Sequence, residues 1–295
     1  MPRLTFFFPC RLLLLLLSAA GSLRAEVDRL LQAQTETVYI RWRQAFIQQD
    51  LATWLKYTSR YRQMHLRNQV VSQAQPWPRA VFSLALQPPE LSKLKIIDAR
   101  SAGETARISY YGRVDFGIPG ESMPDNVLVL WFLKEGTEWK ANHVQYVNLN
   151  DPQKKVAVSN GDVSFLREPD FDLSETYPDI PKPCEAPYHV GKLSVISFGC
   201  RTAVNLNGLN EEVVSQTASV RPVIGGLRKG PNKLTIRLEP MENTDPAKRR
   251  VEVSITIPSG NPARPQTELY SWKYDPAKPV LKVESSIFGP SKVVR

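Results

Sequence analysis

A hairpin pattern between residues 127 and 150 constrains the fold of this chain more than any other stretch. Seven consecutive apolar residues fill 127–133, and a short Gly-containing turn at 135–137 separates them from a second run that opens with Trp139. A strand that is apolar on both faces has to be covered on both faces, and two such runs joined by a short turn are typical of a β-hairpin. The stretch therefore predicts a buried, central strand around which the N-terminal half of the chain is built.

Three segments with helical spacing of apolar residues precede this hairpin, and two segments with strand spacing follow them. Asp50 can cap the second helix, and Pro76 and Pro78 cannot continue the third. After the prolines the apolar period becomes two, which is typical of half-buried strands. The predicted elements are helices over 26–50, 51–58 and 60–73, and strands over 94–99 and 105–114.

Several short sequences in this half form a pattern that is found in a known superfamily. They are Gln49-Asp50-Leu51 with Trp54 and Tyr57 behind it, Gly103-Glu104-Thr105-Ala106, Tyr110-Tyr111-Gly112, and 131–136 followed by Trp139-Lys140. With the helix and strand order, they make residues 26–150 resemble the NTF2-like (cystatin-like α+β cone) superfamily. The resemblance implies three helices on a curved antiparallel sheet with a pocket on its concave face, and a homodimer through that sheet is compatible with it. It implies little about activity, because this superfold carries enzymes, binders and assembly modules alike.

The rest of the chain predicts a connector and an all-β domain. Prolines recur through 151–188, which favours an extended, semi-rigid connector, in which a short helix or turn around residues 161–166 can pack back on the first domain. Six or seven short strands over 189–290, with no helical pattern, predict a β-sandwich that is immunoglobulin-like in plan. Within it, Gly230 offers a positive φ and Asn232 can hydrogen-bond its own turn, in a sequence that resembles a turn of accessory sandwich domains of extracellular proteins. The candidate strands are 190–198, 201–206, 233–238, 250–257, 268–274 and 280–287.

The first 25 residues predict export. Arg3 and Arg11 supply positive charge, and six consecutive leucines at 12–17 and then small residues follow them. This is the pattern of a secretory signal peptide. The apolar core is too short for the roughly 20 residues that span a bilayer, although an uncleaved anchor is the alternative. We therefore expect a periplasmic or extracellular protein without a transmembrane segment after signal removal.

Two cysteines, Cys184 and Cys200, remain after the predicted cleavage. A pair of cysteines in an exported protein predicts one disulfide, and two free buried thiols are the alternative. Their spacing is not that of a zinc site, and the chain has only 3 histidines, so no metal or cofactor is expected. Removal of residues 1–25, which carry Arg3, Arg11 and Arg24, lowers the net charge from +9 to +6. This moderate excess suits contact with anionic surfaces, but no nucleic acid partner is predicted for an exported protein.

The predicted pocket supplies the candidate ligand-binding residues. Strand alternation places Trp139 and His143 on one face of the hairpin, with Tyr110 on a neighbouring strand, and Trp54 and Tyr57 could form the rim. A His and a Tyr in an apolar pocket can orient a polar group or move a proton. The alternative is that each is an ordinary structural residue.

Catalysis needs an acid–base pair, and the sequence offers no convincing one. Asp98 could be a buried base or simply an exposed strand residue. In the predicted sandwich, Tyr270, Trp272 and Tyr274 alternate onto one strand face, where they form a glycan platform if exposed and a core if buried. The sequence therefore favours a non-catalytic binding or scaffolding protein of the cell envelope, whose partner is a small molecule, a glycan or an envelope protein. The alternatives are an isomerase- or hydratase-like enzyme using the first pocket and a carbohydrate-binding accessory protein.

Overall fold

Two antiparallel β-sheets organise the part of the chain that the computed structural model describes, which is residues 27–83, 87–117, 125–242 and 244–289. The predicted signal peptide, 1–25, lies outside these residues. Strands account for 43% and helices for 25% of the described chain. Each sheet has its own apolar core.

Three capped helices open the described chain. Leu31 N donates to Asp28 Oδ1 at the start of the first helix, Thr53 N to Asp50 Oδ1 at the second, and Arg62 N to the Ser59 hydroxyl at the third. Each bond satisfies an amide that has no partner inside its own helix. The helices are α1 (Arg29–Gln48), α2 (Leu51–Tyr57) and α3 (Arg60–Ser72).

The first sheet has four strands that pair in the order of the chain. Its strands are β1 (Lys95–Ala102), β2 (Thr105–Arg113), β3 (Asp125–Glu135) and β4 (Glu138–Asn148). The predicted hairpin is confirmed as β3–β4, and Val127, Leu128 and Val129 at its start are fully buried. Consecutive residues are buried because both faces of the sheet are covered.

Different elements cover the two faces of this sheet. α1 packs on one face, against residues such as Ile108 and Leu130. The other face, which includes Val127 and Val129, is covered by the segment that follows β4. The sequence predicts an extended connector here, with a short helix or turn around residues 161–166 packed back on the first domain. The structure has α4 (Pro152–Ser159) and the 3₁₀ turns Ser164–Arg167 and Pro169–Phe171 in this segment.

A buried cation holds this second layer to the sheet. Arg107 in β2 is 3% exposed, and its Nη2 lies 2.9 Å from Oδ2 of the fully buried Asp98. Its Nη1 donates to the carbonyls of Leu166, at 2.7 Å, and Phe171. Arg100 Nε lies 2.9 Å from the other carboxylate oxygen of Asp98, as an ion pair without hydrogen-bond alignment. The candidate base Asp98 is therefore a structural anion, neutralised by two arginines.

The second sheet is built around one long strand, β5 (Lys192–Leu206). Its first half pairs with β8 (Arg250–Asn261) and its second half with β7 (Pro231–Pro240), while β6 (Asn210–Pro222) pairs along its other side. The register shifts between Ser197 and Arg201, where the strand changes partners. The remaining strands are β9 (Arg264–Lys273) and β10 (Lys282–Phe288), and the order across the sheet is β10-β7-β5-β8-β9.

The predicted fold class, a cone of three helices on a sheet followed by an immunoglobulin-like sandwich, is wrong. The described chain is mostly β, with four α-helices and two sheets, and a three-helix cone at its N-terminal end is not evident. In the first half, the sheet has no open face, because the segment after β4 covers the second one. In the second half, a sandwich would need two stacked sheets, and the six strands belong to one sheet.

The predicted disulfide is absent from the structure, where Cys184 and Cys200 are both buried free thiols. Cys184 lies against α3: its amide donates to Asn68 Oδ1 at 2.9 Å, and its Sγ is 3.6 Å from the Ser72 hydroxyl. Cys200 belongs to the core of the second sheet. The two thiols thus serve different packing surfaces, which is the alternative that the sequence left open.

α3 also joins the two halves of the chain. The amide of Gly225, which precedes β7, donates to the Ser72 hydroxyl at 2.7 Å. Within the described ranges, no helix is both long enough and apolar enough to cross a membrane.

Candidate functional site

A cavity of about 220 Å³ lies between the three N-terminal helices and the β3–β4 hairpin. Most of its wall is aromatic or aliphatic, and its polar residues are concentrated where α3 meets β4. None of the described residues that line it is an Asp or a Glu. The lining residues are Tyr39, Trp42, Phe46, Trp54, Arg62, Leu66, Val81, Gln87, Pro88, Leu130, Trp131, Phe132, Ala141, Asn142, His143, Val144 and Tyr146.

α1 supplies one aromatic wall. Tyr39, Trp42 and Phe46 are three and four residues apart, which places them on one face of the helix. Trp42 Nε1 donates to the Thr58 hydroxyl at 3.0 Å, and the Tyr39 hydroxyl donates to the Pro89 carbonyl at 2.8 Å. These bonds fix the rings, so the wall is formed before any ligand arrives.

Trp54 of α2 forms a second part of the wall and is fully buried. Its ring meets Trp77 and Phe82 edge to face, at centroid distances of 6.4 and 6.0 Å. Its Nε1–H has no hydrogen-bond partner among the described residues. A buried donor without a partner costs roughly 1–3 kcal/mol.

A bulge in β4 alters the wall that the hairpin contributes. Trp131 of β3 pairs with His143, whereas the next residue, Phe132, pairs with Ala141. Asn142 is therefore an extra residue in β4. An extra residue moves the side chains beyond it to the opposite face from that expected by simple alternation.

The predicted face of β4 is wrong beyond the bulge for this reason. Val144 and Tyr146 pack into the core on the cavity side, where alternation placed His143 and Gln145. Gln145 instead accepts from Trp131 Nε1, at 3.1 Å. Because β4 is the last strand of its sheet, His143 still reaches the cavity, from the rim.

The polar end of the cavity opens into an outer groove of about 360 Å³. Arg62, Asn142 and His143 line both spaces, together with Trp131. The groove adds side chains from three elements, which are Tyr61, His65, Gln145 and Asp170. We call the shared trio of Arg62, Asn142 and His143 the polar mouth.

The electrostatics of the polar mouth favour negative charge. Burial lowers the pKa of Arg62 to about 10, so it stays cationic at neutral pH. The side chain of His143 is exposed to water on its outer side, and the packing around its inner side together with the charge of Arg62 lowers its pKa. Burial and Arg62 lower the pKa of His65 as well. Both imidazoles are therefore neutral at pH 7 beside a guanidinium.

The structure brings two of the five predicted pocket residues to this cavity, His143 and Trp54. Trp139 packs in the core of the first sheet but does not line the cavity. Tyr57 lies beneath the ammonium group of Lys56 rather than at the rim. The fifth residue, Tyr110, faces a separate groove beside α1, as described next.

Tyr110 is 2% exposed and donates to Glu36 Oε1 at 2.6 Å. It lines a groove of about 610 Å³ along the far side of α1. Burial and the carboxylate of Glu36 raise the pKa of Tyr110 well above its ordinary value. The hydroxyl is thus a structural donor between β2 and α1.

The residues of the predicted glycan platform form part of a core instead, which is the alternative that the sequence left open. Tyr270, Trp272 and Tyr274 are half-buried and pack against the core of the second sheet. The Tyr270 hydroxyl lies 3.3 Å from the Ser285 hydroxyl of β10. The row therefore fills the interior of the curved sheet and does not form a flat exposed surface.

Sequence reasoning missed Arg62 and Asn142. Arg62 precedes Leu66 and Val70 by one and two turns on the buried face of α3, and a charged residue on an apolar helical face is the signal that could have found it. Asn142 carries no such signal, because the bulge follows from pairing with β3. Among the described residues, no group of three or more His, Cys, Asp or Glu side chains could hold a metal ion.

Comparisons of the chain with family models, with curated proteins and with solved structures found no match. The cavity is therefore the feature of this chain from which a function can be inferred.

Proposed function

We propose that this protein binds a small, largely apolar molecule in the cavity between α1–α3 and the β3–β4 hairpin, without transforming it chemically. The observation that carries the proposal is the wall itself, which is aromatic and aliphatic except at Gln87 and at the polar mouth. Ligand sites typically combine an apolar lining with a few convergent polar groups. At about 220 Å³, the cavity is smaller than the roughly 300–1,000 Å³ of sites for drug-sized molecules.

The side chains of the wall support binding without catalysis. Proton transfer at neutral pH needs a group whose pKa lies near the operating pH. The pKa of His143 is lowered to about 4, which makes its imidazole a weak base. None of the described lining residues carries a carboxylate that could act as its partner.

An isomerase- or hydratase-like enzyme is the second candidate, and the same histidine is the observation in its favour. Strongly shifted pKa values concentrate at active sites. The shift of His143 has a simpler cause, however, since packing and the neighbouring Arg62 account for it. We therefore place His143 at the mouth as a neutral polar group.

The predicted export places this binding in the periplasm or outside the cell. The signal-peptide pattern at 1–25 supports that location. A role as a scaffold for an envelope protein is the further alternative. Its first indication would be that no small molecule binds to this protein. A glycan partner is not favoured, because the aromatic row of β9 packs inward.

The test measures the shift in melting temperature that 2-naphthamide, a neutral aromatic probe, causes in the wild type and in two variants in which an alanine is replaced by leucine. Ala141→Leu adds three carbons to a residue that lines the cavity. Ala52→Leu makes the same change at an exposed position of α2, away from the cavity. A ligand at 100 times its dissociation constant adds roughly 2.7 kcal/mol of stability.

We expect 2-naphthamide to stabilise the wild type and Ala52→Leu, and to leave Ala141→Leu unchanged. Overpacking can lower the starting stability of Ala141→Leu by about 1–3 kcal/mol, so the measured quantity is the shift that the ligand adds. A shift that persists in Ala141→Leu, or no shift with any aromatic probe, would remove the proposal. Turnover of a ligand by the wild type and not by His143→Ala would establish the enzyme instead.

A further inference from the structure

The guanidinium of Arg62 has no counter-ion in the part of the chain that the structure describes. It is half-buried, and no carboxylate pairs with it. By contrast, Arg107, which is 3% exposed, is held by Asp98 and two backbone carbonyls. Withdrawing a charge from water without a partner is costly. Unlike Arg107, Arg62 is therefore available to pair with an anionic ligand.

The neighbours of Arg62 add donors. The side-chain oxygen of Asn142 accepts from the Ser59 hydroxyl at 2.9 Å, which leaves the amide hydrogens of Asn142 to donate. His65 is occupied by Gln69, at 3.1 Å, and stacks on Tyr61. The mouth thus offers one fixed positive charge and a free amide donor.

The nearby carboxylate lies on the outer side. Asp170 lines the outer groove but not the cavity, and it is exposed to water. Asp170 would therefore repel an anion in the outer groove more strongly than an anion on the cavity side of Arg62. The inner position faces the aromatic wall.

On the basis of the proposed function, we infer that the ligand of this cavity is an apolar carboxylate, whose body fills the aromatic wall and whose anionic head pairs with Arg62 and Asn142. One guanidinium matches one carboxylate, because its planar fork donates two parallel hydrogen bonds. A phosphate dianion would leave one charge uncompensated at this site. The class is therefore a small aromatic or aliphatic monocarboxylic acid.

The experiment compares 2-naphthoate with 2-naphthamide, which has nearly the same shape and no charge. Dissociation constants are measured by titration calorimetry on the wild type, Arg62→Gln and the control Arg60→Gln. Arg60 is on the same helix, is 68% exposed and pairs with Glu135 at the surface. Both variants therefore remove one positive charge from α3, and only one removes it from the mouth.

We expect the wild type and Arg60→Gln to bind 2-naphthoate roughly 10- to 100-fold more tightly than 2-naphthamide, the range of a charge-assisted hydrogen-bonded pair. Arg62→Gln should lose this preference and keep its affinity for the amide. Its melting temperature should be unchanged or raised, because the substitution removes an uncompensated charge. A marked loss of stability would show that Arg62 is held by the protein itself and would overturn the inference.

The pH dependence identifies which group holds the head. The titratable and charged groups around Arg62 are Tyr61 and His65 of α3, His143 of β4 and Asp170 of the turn after α4. The pKa of Arg62 is about 10, so an arginine-held carboxylate should bind with nearly constant affinity from pH 6 to pH 8 and weaken above about pH 10. Affinity that falls steeply as the pH rises from 5 to 7 would assign the head to the histidines and overturn the inference.

The outcomes separate this inference from the proposed function. Equal affinity for acid and amide in the wild type would overturn the carboxylate and leave the apolar cavity as a binding site. Binding of neither compound to the folded wild type would remove both. If Arg62→Gln fails to fold, the affinity of the wild type is measured at increasing salt concentration instead. The affinity for 2-naphthoate should fall as salt screens its charge pair with Arg62, while the affinity for 2-naphthamide should not change.

Discussion

The two sheets of this protein solve the same problem, the burial of apolar side chains, in opposite ways. The first sheet is covered by helices and turns on both faces, and its central strand β3 is apolar at consecutive positions. The second sheet curls around its own interior, and its strand β7 alternates between exposed and buried residues. The comparison shows that the apolar pattern of a strand reports how many of its faces are covered. It also shows where a cavity can form, since the helices of the first sheet leave a space that a sheet packed on itself does not.

The largest expected effect tests the cover on the second face of the first sheet. Arg107→Met should lower the free energy of unfolding by about 3–5 kcal/mol, the usual effect of breaking a buried ion pair. It leaves Asp98 with Arg100 alone and leaves the carbonyls of Leu166 and Phe171 without their donor. The measurement is equilibrium unfolding in urea.

The matched control is Arg113→Met at the end of the same strand. Arg113 is 84% exposed, and its Nε lies 4.0 Å from Asp125, so the loss should stay within about 0.5 kcal/mol. A similar loss of unfolding free energy in the two variants would mean that Arg107 does not hold the turns after α4. The contrast between the first sheet, which is covered on both faces, and the second, which packs on its own interior, would then be weaker.

An intermediate effect is expected in the second sheet from Asn232→Ala. Asn232 is fully buried, accepts from the Arg228 amide at 2.8 Å and donates to the Gly230 carbonyl at 3.1 Å. Loss of these bonds leaves buried backbone groups unpaired and should cost about 1–3 kcal/mol. Gln266→Ala on the exposed strand β9 is the control, since within the described residues its side chain accepts one hydrogen bond, from the Thr256 hydroxyl at 3.2 Å.

Calorimetry of these variants sharpens the comparison of the two sheets. If each core unfolds by itself, Arg107→Met should lower one transition and Asn232→Ala the other. If both variants lower a single transition, the contact of α3 with the second sheet, at Ser72 and Gly225, makes the two halves one cooperative unit.

The smallest expected effect is none. Cys184 and Cys200 belong to separate packing surfaces as free thiols, so a reducing agent should not change the melting temperature. Peptide mapping without reduction should find each cysteine alkylated after unfolding and protected before it. A bridge between them would add about 3 kcal/mol and would join two surfaces that the structure keeps apart.

The sequence predicted the local elements of the first half well. The three helices begin and end within a few residues of the predicted positions, because Asp50 and other polar residues cap them and apolar spacing defines their faces. The turn at Gly230 and Asn232 also formed as predicted, with positive φ at the glycine and the amide bonded within its own turn. These features depend on neighbours in the chain, which a sequence shows directly.

The features that failed depend on contacts between distant residues. β6 was missed because it is an edge strand with mostly exposed, polar side chains, and two predicted strands proved to be one, β5. The bulge at Asn142 exists only in pairing with β3, so the side on which His143 lies could not be predicted. The unpaired state of Arg62 likewise follows from what surrounds α3.

The strand order described for the two sheets sets an order of events during synthesis. Each strand of the first sheet pairs with the next one in the chain, so this sheet can form soon after its residues leave the ribosome. In the second sheet, Lys192 pairs with Thr256 and Pro231 with Phe288, and such distant pairings are slow to form. The first half of the side of β5 that pairs with β8 and β7, residues 192–198, therefore stays unpaired until β8 is made. During this interval the chain is most exposed to misassociation with other chains.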